Sequence, residues 1–321
     1  MQGKTLPGQS AAGVYVGIDV CKDRLDVYLH PVGQQFEVAN SSEGLKRLKR
    51  ELKKHDVALI VVEATAKYHW LAHRVLSAAG YRVAQVNPLR TRLYAQALGQ
   101  LAKTDKIDAR MLALFGAALS PEARPPAPEA LTELHEFVRA RQEASDDLVV
   151  LKNRCGAALC ASLKREIGRA IKALQTHEKR LEDEILRRIE NDPALSRRHQ
   201  ILTSMPGVGQ ATAAVLLVGL SELGTGSGKS MSLLVGVAPI AADSGEKTGE
   251  RHIRGGRGFV RRALFMAALT AVVWNRDLKT FYNRLRKTKE KKVALTAVIR
   301  KLVVLANTLI TQDRLWTPVR P

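Results

Sequence analysis

Four carboxylates carry the clearest chemical signal in this chain of 321 residues. Asp19 ends one apolar run (VGIDV) and Glu63 ends another (LIVVEAT). An acid closing an otherwise apolar strand sits at the rim of a sheet, where open α/β sheets place their ligands. Asp105 and Asp108 (KTDKIDAR) are three apart, so a helix would project both from one face. If that helix crosses the strand ends, all four acids converge. Two like charges ~4 Å apart repel by about 4 kcal/mol at an effective dielectric of ~20. Bound cations or protonation relieve such repulsion. An all-oxygen donor set suits Mg2+ or Mn2+, and a pair of these ions is the usual apparatus of phosphodiester chemistry. Taken singly, each acid reads as a surface or capping residue, with Asp105 a good helix N-cap.

The elements that must position these acids alternate between strand and helix. Val14–Val20 and 25–30 are β-rich runs joined by a polar turn, and 34–38 is a third strand. A helix opening at Ser41 carries Leu45, Leu48 and Leu52 on one face, and Val57–Glu63 reads as a buried central strand. A helix over 68–79, a strand over 81–86 and helices over 88–98 and Asp105–Leu119 complete the series. The order predicts a mixed sheet with helices on its faces, an α/β domain spanning 14–120 behind a tail, 1–13, that carries no motif. A proline-rich break (SPEARPPAP) then opens a linker and arm over 121–195, where helical spacing predicts two long helices, an antiparallel coiled coil. Residues 196–321 read as a mainly α domain with glycine loops.

Charge follows the same division. Residues 1–120 carry 17 basic and 10 acidic side chains, 121–195 carry 13 and 14, and 196–321 carry 21 and 7. Such an organised excess, +20 in total, points to phosphate backbones as partners, bound through salt-sensitive counterion release. Three cysteines form neither a disulfide framework nor a zinc quartet, and the histidines are read as offering no zinc-hydrolase pattern. With no apolar run near ~18 residues and no signal-type segment, a cytoplasmic protein without membrane contact is expected.

Two strings in the last third invite comparison with phosphate-binding loops. LTSMPGVGQATAAVLLVGL resembles a helix-hairpin-helix, in which Gly207 and Gly209 allow a tight turn whose N–H groups hold a backbone phosphate. GTGSGKS looks like a Walker A loop, but Leu223 stands where the first glycine is required and a helix precedes it. It reads as a flexible glycine loop.

The strings VGIDVCKDRLDVYL, VVEATAKYH and KTDKIDARMLA resemble the N-terminal DEDD domain, of RNase H/RuvC-like fold, of the IS110 insertion-sequence transposases. GVAPIAADSGEKTGERHIRGGRGFVRRALFMAA (236–268) is similar to the C-terminal pattern of the same family. The glycine-rich stretch at 224–230 is more polar than that pattern. The resemblance implies a DNA transposase that excises and inserts its own element, directed to donor and target double-stranded DNA by a structured guide RNA. Ser244 would be the nucleophile, forming a phosphoserine intermediate, and Asp19, Glu63, Asp105 and Asp108 would hold Mg2+ or Mn2+. Arg251, Arg254, Arg257, Arg261 and Arg262, close to Ser244 in sequence, would clamp phosphate. A homo-oligomer is implied, a dimer or a tetramer in the synaptic complex, with the acid domain of one subunit serving the serine domain of another. When bound to DNA the protein would be nucleoid-associated. Two other readings remain open at this point. One is a RuvC-like, metal-dependent, structure-selective nuclease that uses water; the other is a nucleic-acid-binding protein without catalysis.

Overall fold

The computed structural model describes residues 13–64, 68–102, 104–245 and 249–318. They form two compact units that divide between Ala127 and Pro128.

The first unit is built on a five-stranded mixed sheet. Strands β1 (Val14–Val20), β2 (Arg24–His30), β3 (Gln34–Ala39), β4 (Val57–Glu63) and β5 (Val83–Val86) are ordered β3-β2-β1-β4-β5. The hairpin strands β1, β2 and β3 pair antiparallel, whereas β4 is parallel to both β1 and β5. Successive strand residues point to opposite faces. Val16, Ile18, Ile60 and Val62 therefore join one core with Leu45, Leu48 and Leu52 of α1 (Ser42–Leu52) and with Ala72 and Leu76 of α2 (His69–Ala78). Leu59 and Val61 face the other way, into a second core with Leu112 and Phe115 of α4 (Asp105–Leu119). Helix α3 (Pro88–Ala97) adds Tyr94, whose ring meets Phe115 edge-on at 5.5 Å.

Helix α4 sits unusually close to the sheet, and one glycine explains why. A Cβ on Gly17 would lie 2.0 Å from the Ala109 carbonyl oxygen and 2.4 Å from the Ala113 nitrogen. Only a residue without a side chain lets this helix backbone touch β1. Thr104 caps α4, its Oγ1 accepting from Ile107 N–H at 3.3 Å. The cap expected at Asp105 is thus corrected: Asp105 opens the first helical turn, and its carboxylate pairs with Arg24 instead of capping the helix.

The second unit begins with the helical hairpin of α5 (Glu129–Ala157) and α6 (Ala161–Glu190). Arg141 bridges Glu182 at 2.7 Å and Glu178 at 3.2 Å, and Arg188 lies over the Phe137 ring at 4.0 Å. The arm expected over 121–195 is divided: 121–127 belongs to the first unit, and Leu134, Val138, Ile185 and Ile189 share the core of the second. At the tip of the hairpin, Leu159 is fully exposed.

The remaining core is helical: α7 (Pro193–Thr203), α8 (Gln210–Gly219), α9 (Gly228–Val235), α10 (Gly258–Trp274), α11 (Arg276–Arg286) and α12 (Lys291–Thr311). Helix α12 corrects the expectation about apolar runs. It is long and apolar enough to cross a membrane by length and composition, yet half of its apolar window is buried in this core, including Leu295, Val298, Leu302 and Leu309.

Candidate active site

Strand alternation delivers the acids. Residues 15, 17 and 19 of β1 and 59, 61 and 63 of β4 point to the face that α4 covers. The parallel register pairs Ile18 with Val62, so Asp19 and Glu63 are neighbours one step further along. Asp105 and Asp108 lie in the first turn of α4, the helix that Gly17 lets approach β1, and this brings Asp105 close to Asp19. Asp19 is 8% exposed, and its Oδ1 accepts from Val20 N–H at 3.0 Å. Burial pushes its carboxyl up from 3.8 to about 7, and the charges of Glu63, Asp108 and Asp105 push in the same direction. Of the four acids named from the sequence, the other three thus all act on Asp19, although they come from a second strand and a helix, and Asp105 is the one that joins it in a close donor group among the described residues.

Three neighbours of this cluster escaped the sequence reading. Cys21 lies two residues beyond Asp19, and its Sγ is 3.9 Å from Asp105 Oδ2. Arg24, on β2, donates to Asp105 Oδ2 and, from Nε at 2.8 Å, to Asp26 Oδ2. Asp26 is buried and pairs directly across the ladder from Asp19, so Arg24 serves as its counter-ion. Thr91, on α3, has its one hydroxyl proton shared between the Pro88 carbonyl at 3.0 Å and Glu63 Oε2 at 3.3 Å, which places it beside the acid on β4. The D-x-C spacing was a usable signal for Cys21; nothing local in the sequence marks Arg24 or Thr91.

The donor set fits a divalent cation. Asp19 keeps a carboxylate nine-tenths buried among like charges, a position that only protonation or a cation makes tolerable. Donor atoms of Asp19, Cys21 and Asp105 all lie within 4.8 Å of one another. The set also departs from the all-oxygen expectation by including a thiol.

The histidines need a correction as well. His69 and His73 stand four apart on α2, the H-x-x-x-H spacing that the sequence was read as lacking. Both are committed within the fold: His69 Nε2 lies 2.8 Å from Gln85 Nε2, and His73 Nε2 lies 2.9 Å from the Arg124 carbonyl oxygen. Neither ring joins a metal-type cluster among the described residues.

Ser244 belongs to the second unit and is exposed. A backbone bridge between Ile240 and His252 folds its loop back on itself. That brings Arg251 Nη1 to 2.6 Å from Oδ1 of Asp243, the residue before Ser244. The guanidinium holds the Asp243 carboxyl below its usual range. Gly245, directly after Ser244, has a φ of +56°, a conformation that suits glycine.

The five arginines named from the sequence do not share one task. Arg257, the residue just before α10, makes a two-pronged pair with Glu222, both contacts at 2.6 Å, while donating to the Gly219 carbonyl at 3.0 Å. Arg261 donates to the Gly255 and Val235 carbonyls at 2.7 and 3.1 Å, tying the glycine loop to the end of α9. Arg262 grips Asp146 of α5 with both carboxylate oxygens below 3 Å. Among the described residues Arg251 pairs with the exposed Asp243, and Arg254 is exposed.

In the candidate hairpin, α7 and α8 are joined by 204–209. Gly207 has a φ of +97°, and a Cβ there would meet Ala271 Cβ at 2.7 Å. Gly209 starts α8 with open space beside it. An open groove of about 460 Å³ runs between this turn and α10, floored by Met266, Ala267 and Thr270. The other glycine loop is packed rather than flexible. Asn307 of α12, nearly buried, accepts from Gly224 N–H and donates to the Gly226 carbonyl, each at 2.9 Å. Those backbone groups are spoken for and hold no phosphate.

Comparison with known proteins agrees with this layout. Residues 16–162 match a family described as Transposase, of the DEDD IS110 type, and residues 199–283 match the Transposase IS116/IS110/IS902 family. The pilin gene-inverting proteins of Moraxella bovis and Moraxella lacunata are each 30% identical over 317 residues, spanning 94% of this chain and 96% of the relative.

Proposed function

The chain belongs to the IS116/IS110/IS902 transposase family and is a DNA-recombining enzyme, and on that premise we propose that the acids of its first unit and Ser244 of its second carry the chemistry of DNA strand transfer. What carries the proposal is the burial of Asp19 among Glu63, Asp105 and Asp108. These four acids would hold Mg2+, or Mn2+ in its place. When bound, the ion supplies positive charge that polarises the scissile phosphate and eases the departure of its leaving oxygen. Thr91 lies within hydrogen-bond reach of Glu63, and Arg24 neutralises the buried Asp26.

Ser244 is the proposed nucleophile. Its Oγ would lose a proton and bond to phosphorus, while the deoxyribose oxygen leaves and takes up a proton. The phosphoserine link conserves the energy of the broken phosphodiester, so a strand-end hydroxyl can reverse the step on a new partner. Arg251 and Arg254 would contact the phosphate oxygens, because the guanidinium groups of Arg257, Arg261 and Arg262 already anchor the scaffold around the loop. Gly207 and Gly209 would bring backbone N–H groups to a DNA phosphate at the hairpin groove.

Excision and insertion of an element, directed to donor and target DNA by a structured guide RNA, is the reaction proposed. Inversion of a DNA segment, which the relatives' name describes, needs the same cutting and rejoining at two sites in opposed orientation. A homo-oligomer, a dimer that pairs into a tetramer at synapsis, would let one subunit's acids serve another's serine. The working location would be the cytoplasm, on the nucleoid.

The test is Ser244→Ala beside Asp19→Asn, assayed with the RNA that copurifies. Ser244→Ala should abolish both cleavage and the covalent protein–DNA adduct. Cleavage that survives Ser244→Ala but not Asp19→Asn would make the protein a nuclease using water. Activity that survives both would leave a nucleic-acid-binding protein. Copurification of random cellular RNA alone would overturn the guided reading.

A further inference from the structure

The donors gathered at the strand ends are not all oxygens. Cys21 is half-buried, and backbone bonds on both sides fix it: its N–H donates to the Arg24 carbonyl at 2.9 Å, and its own carbonyl accepts from Asn40 Nδ2 at 3.0 Å. It lies just past the end of β1, two residues after Asp19, and its side chain comes to the same side as Asp19 and the start of α4. There the thiol meets Asp105 Oδ2 at 3.9 Å, within a group whose donor atoms all lie inside 4.8 Å.

Resting on the reading that these acids hold a divalent cation, we propose that Cys21 is a further donor of that same site. The mixed sulfur–oxygen set then takes a thiophilic cation, Zn2+ or Cd2+, in preference to Mg2+. Soft thiolate selects zinc-like ions over magnesium, which keeps to oxygen and water. Zinc bonds of about 2.3 Å to sulfur and about 2.1 Å to oxygen put the two donors about 3.6 Å apart at a tetrahedral angle. The observed 3.9 Å needs only a small side-chain adjustment. On binding, the Cys21 thiol gives its proton to the buffer as the sulfur–metal bond forms, and Arg24 gives up its hold on Asp105. No oxidant or further reactant is required. The consequence is regulatory: a tightly held zinc ion occupies the acids that strand transfer needs, so the enzyme is inhibited by zinc while magnesium is abundant.

The test uses the full chain with Cys155 and Cys160 replaced by serine, so that only Cys21 can supply sulfur. Titration with Cd2+ should develop the ultraviolet sulfur-to-cadmium charge-transfer band, saturating at one ion per chain. Cys21→Ser should remove the band and lower Zn2+ affinity by at least about tenfold, as loss of a metal-site partner does, with a far smaller change for Mn2+ followed by electron paramagnetic resonance. Asp105→Asn should weaken the band. If Mn2+ binds but no cadmium band forms, Cys21 is not a donor and the proposal falls, while the acid site stands. If the band forms and depends on Cys21 and Asp105 but Mn2+ does not bind, the sulfur site stands and the Mg2+ reading falls. A band indifferent to Asp19 and Asp105 would overturn the shared site.

Discussion

Replacing Gly17 by alanine tests whether the descent of α4 onto β1 makes the acid cluster. The new Cβ would lie 2.0 Å from the Ala109 carbonyl oxygen and 2.4 Å from the Ala113 nitrogen, both rigid helix backbone. Ordinary contact begins near 3.4 Å, so the helix must retreat by about 1.4 Å in a close-packed layer. Overpacking of this kind costs typically 1–3 kcal/mol. The retreat also carries Asp105 and Asp108 away from Asp19 and Glu63, and a misplacement of about 1 Å costs on the order of 100-fold in rate. A plasmid cleavage assay and a thermal melt read the two effects separately. Gly168→Ala is the matched control: it lies within α6 with nothing near its missing Cβ, and alanine favours a helix by up to about 1 kcal/mol. The same chemical change should therefore have opposite signs at the two sites. If Gly17→Ala melts and cleaves like the parent, α4 does not rest on β1 and the clustering of the acids needs another explanation.

Asp19→Asn, besides ending cleavage, should stabilise the metal-free first unit. The folded carboxyl titrates near 7 against 3.8 when unfolded, so the parent loses stability as pH rises from about 4 to 7. That displacement is worth about 4 kcal/mol at most, and about 2 kcal/mol after local relaxation. Melts in EDTA at pH 5 and pH 8 should show the asparagine variant gaining mainly at pH 8; equal gains would sink the idea. Adding Mn2+ at pH 8 should raise the melting temperature of the parent and much less that of the variant. Asn307→Leu strips a part-buried N–H of Gly224 and a part-buried carbonyl of Gly226 of their partner, and should cost about 1–2 kcal/mol in urea unfolding without altering Mn2+ binding. Arg257→Ala should destabilise the second unit, because Glu222 is left without its two-pronged partner. If instead it only weakened DNA binding with unchanged stability, Arg257 would be a phosphate contact.

Much of the first unit was legible because its signals are local and periodic. The runs Val14–Val20 and Val57–Glu63 and the helix Asp105–Leu119 begin and end where apolar periodicity said they should. The register of Asp19 and Glu63 follows from alternation alone once the two strands are known to be neighbours. Arg24 was hidden because its role depends on β2 lying antiparallel beside β1, which sets Asp26 opposite Asp19. The arginines around Ser244 looked equivalent in the string; their division into scaffold and surface depends on Glu222, Gly255 and Asp146, which come from distant positions. Asn307 likewise explains the loop at Gly224 from more than eighty residues away.

The sequence by itself determined the strand–helix order, the acids and the organised charge, because each depends on side-chain type at short spacing. Tertiary structure alone decided which groups surround those acids. A missing Cβ at Gly17 lets α4 approach the sheet, and there the thiol of Cys21 and the guanidinium of Arg24 meet Asp105 close to Asp19, whose carboxyl also feels the charges of Glu63 and Asp108. Electrostatic energy in such a cluster depends on distance and burial, and neither is a property of the string.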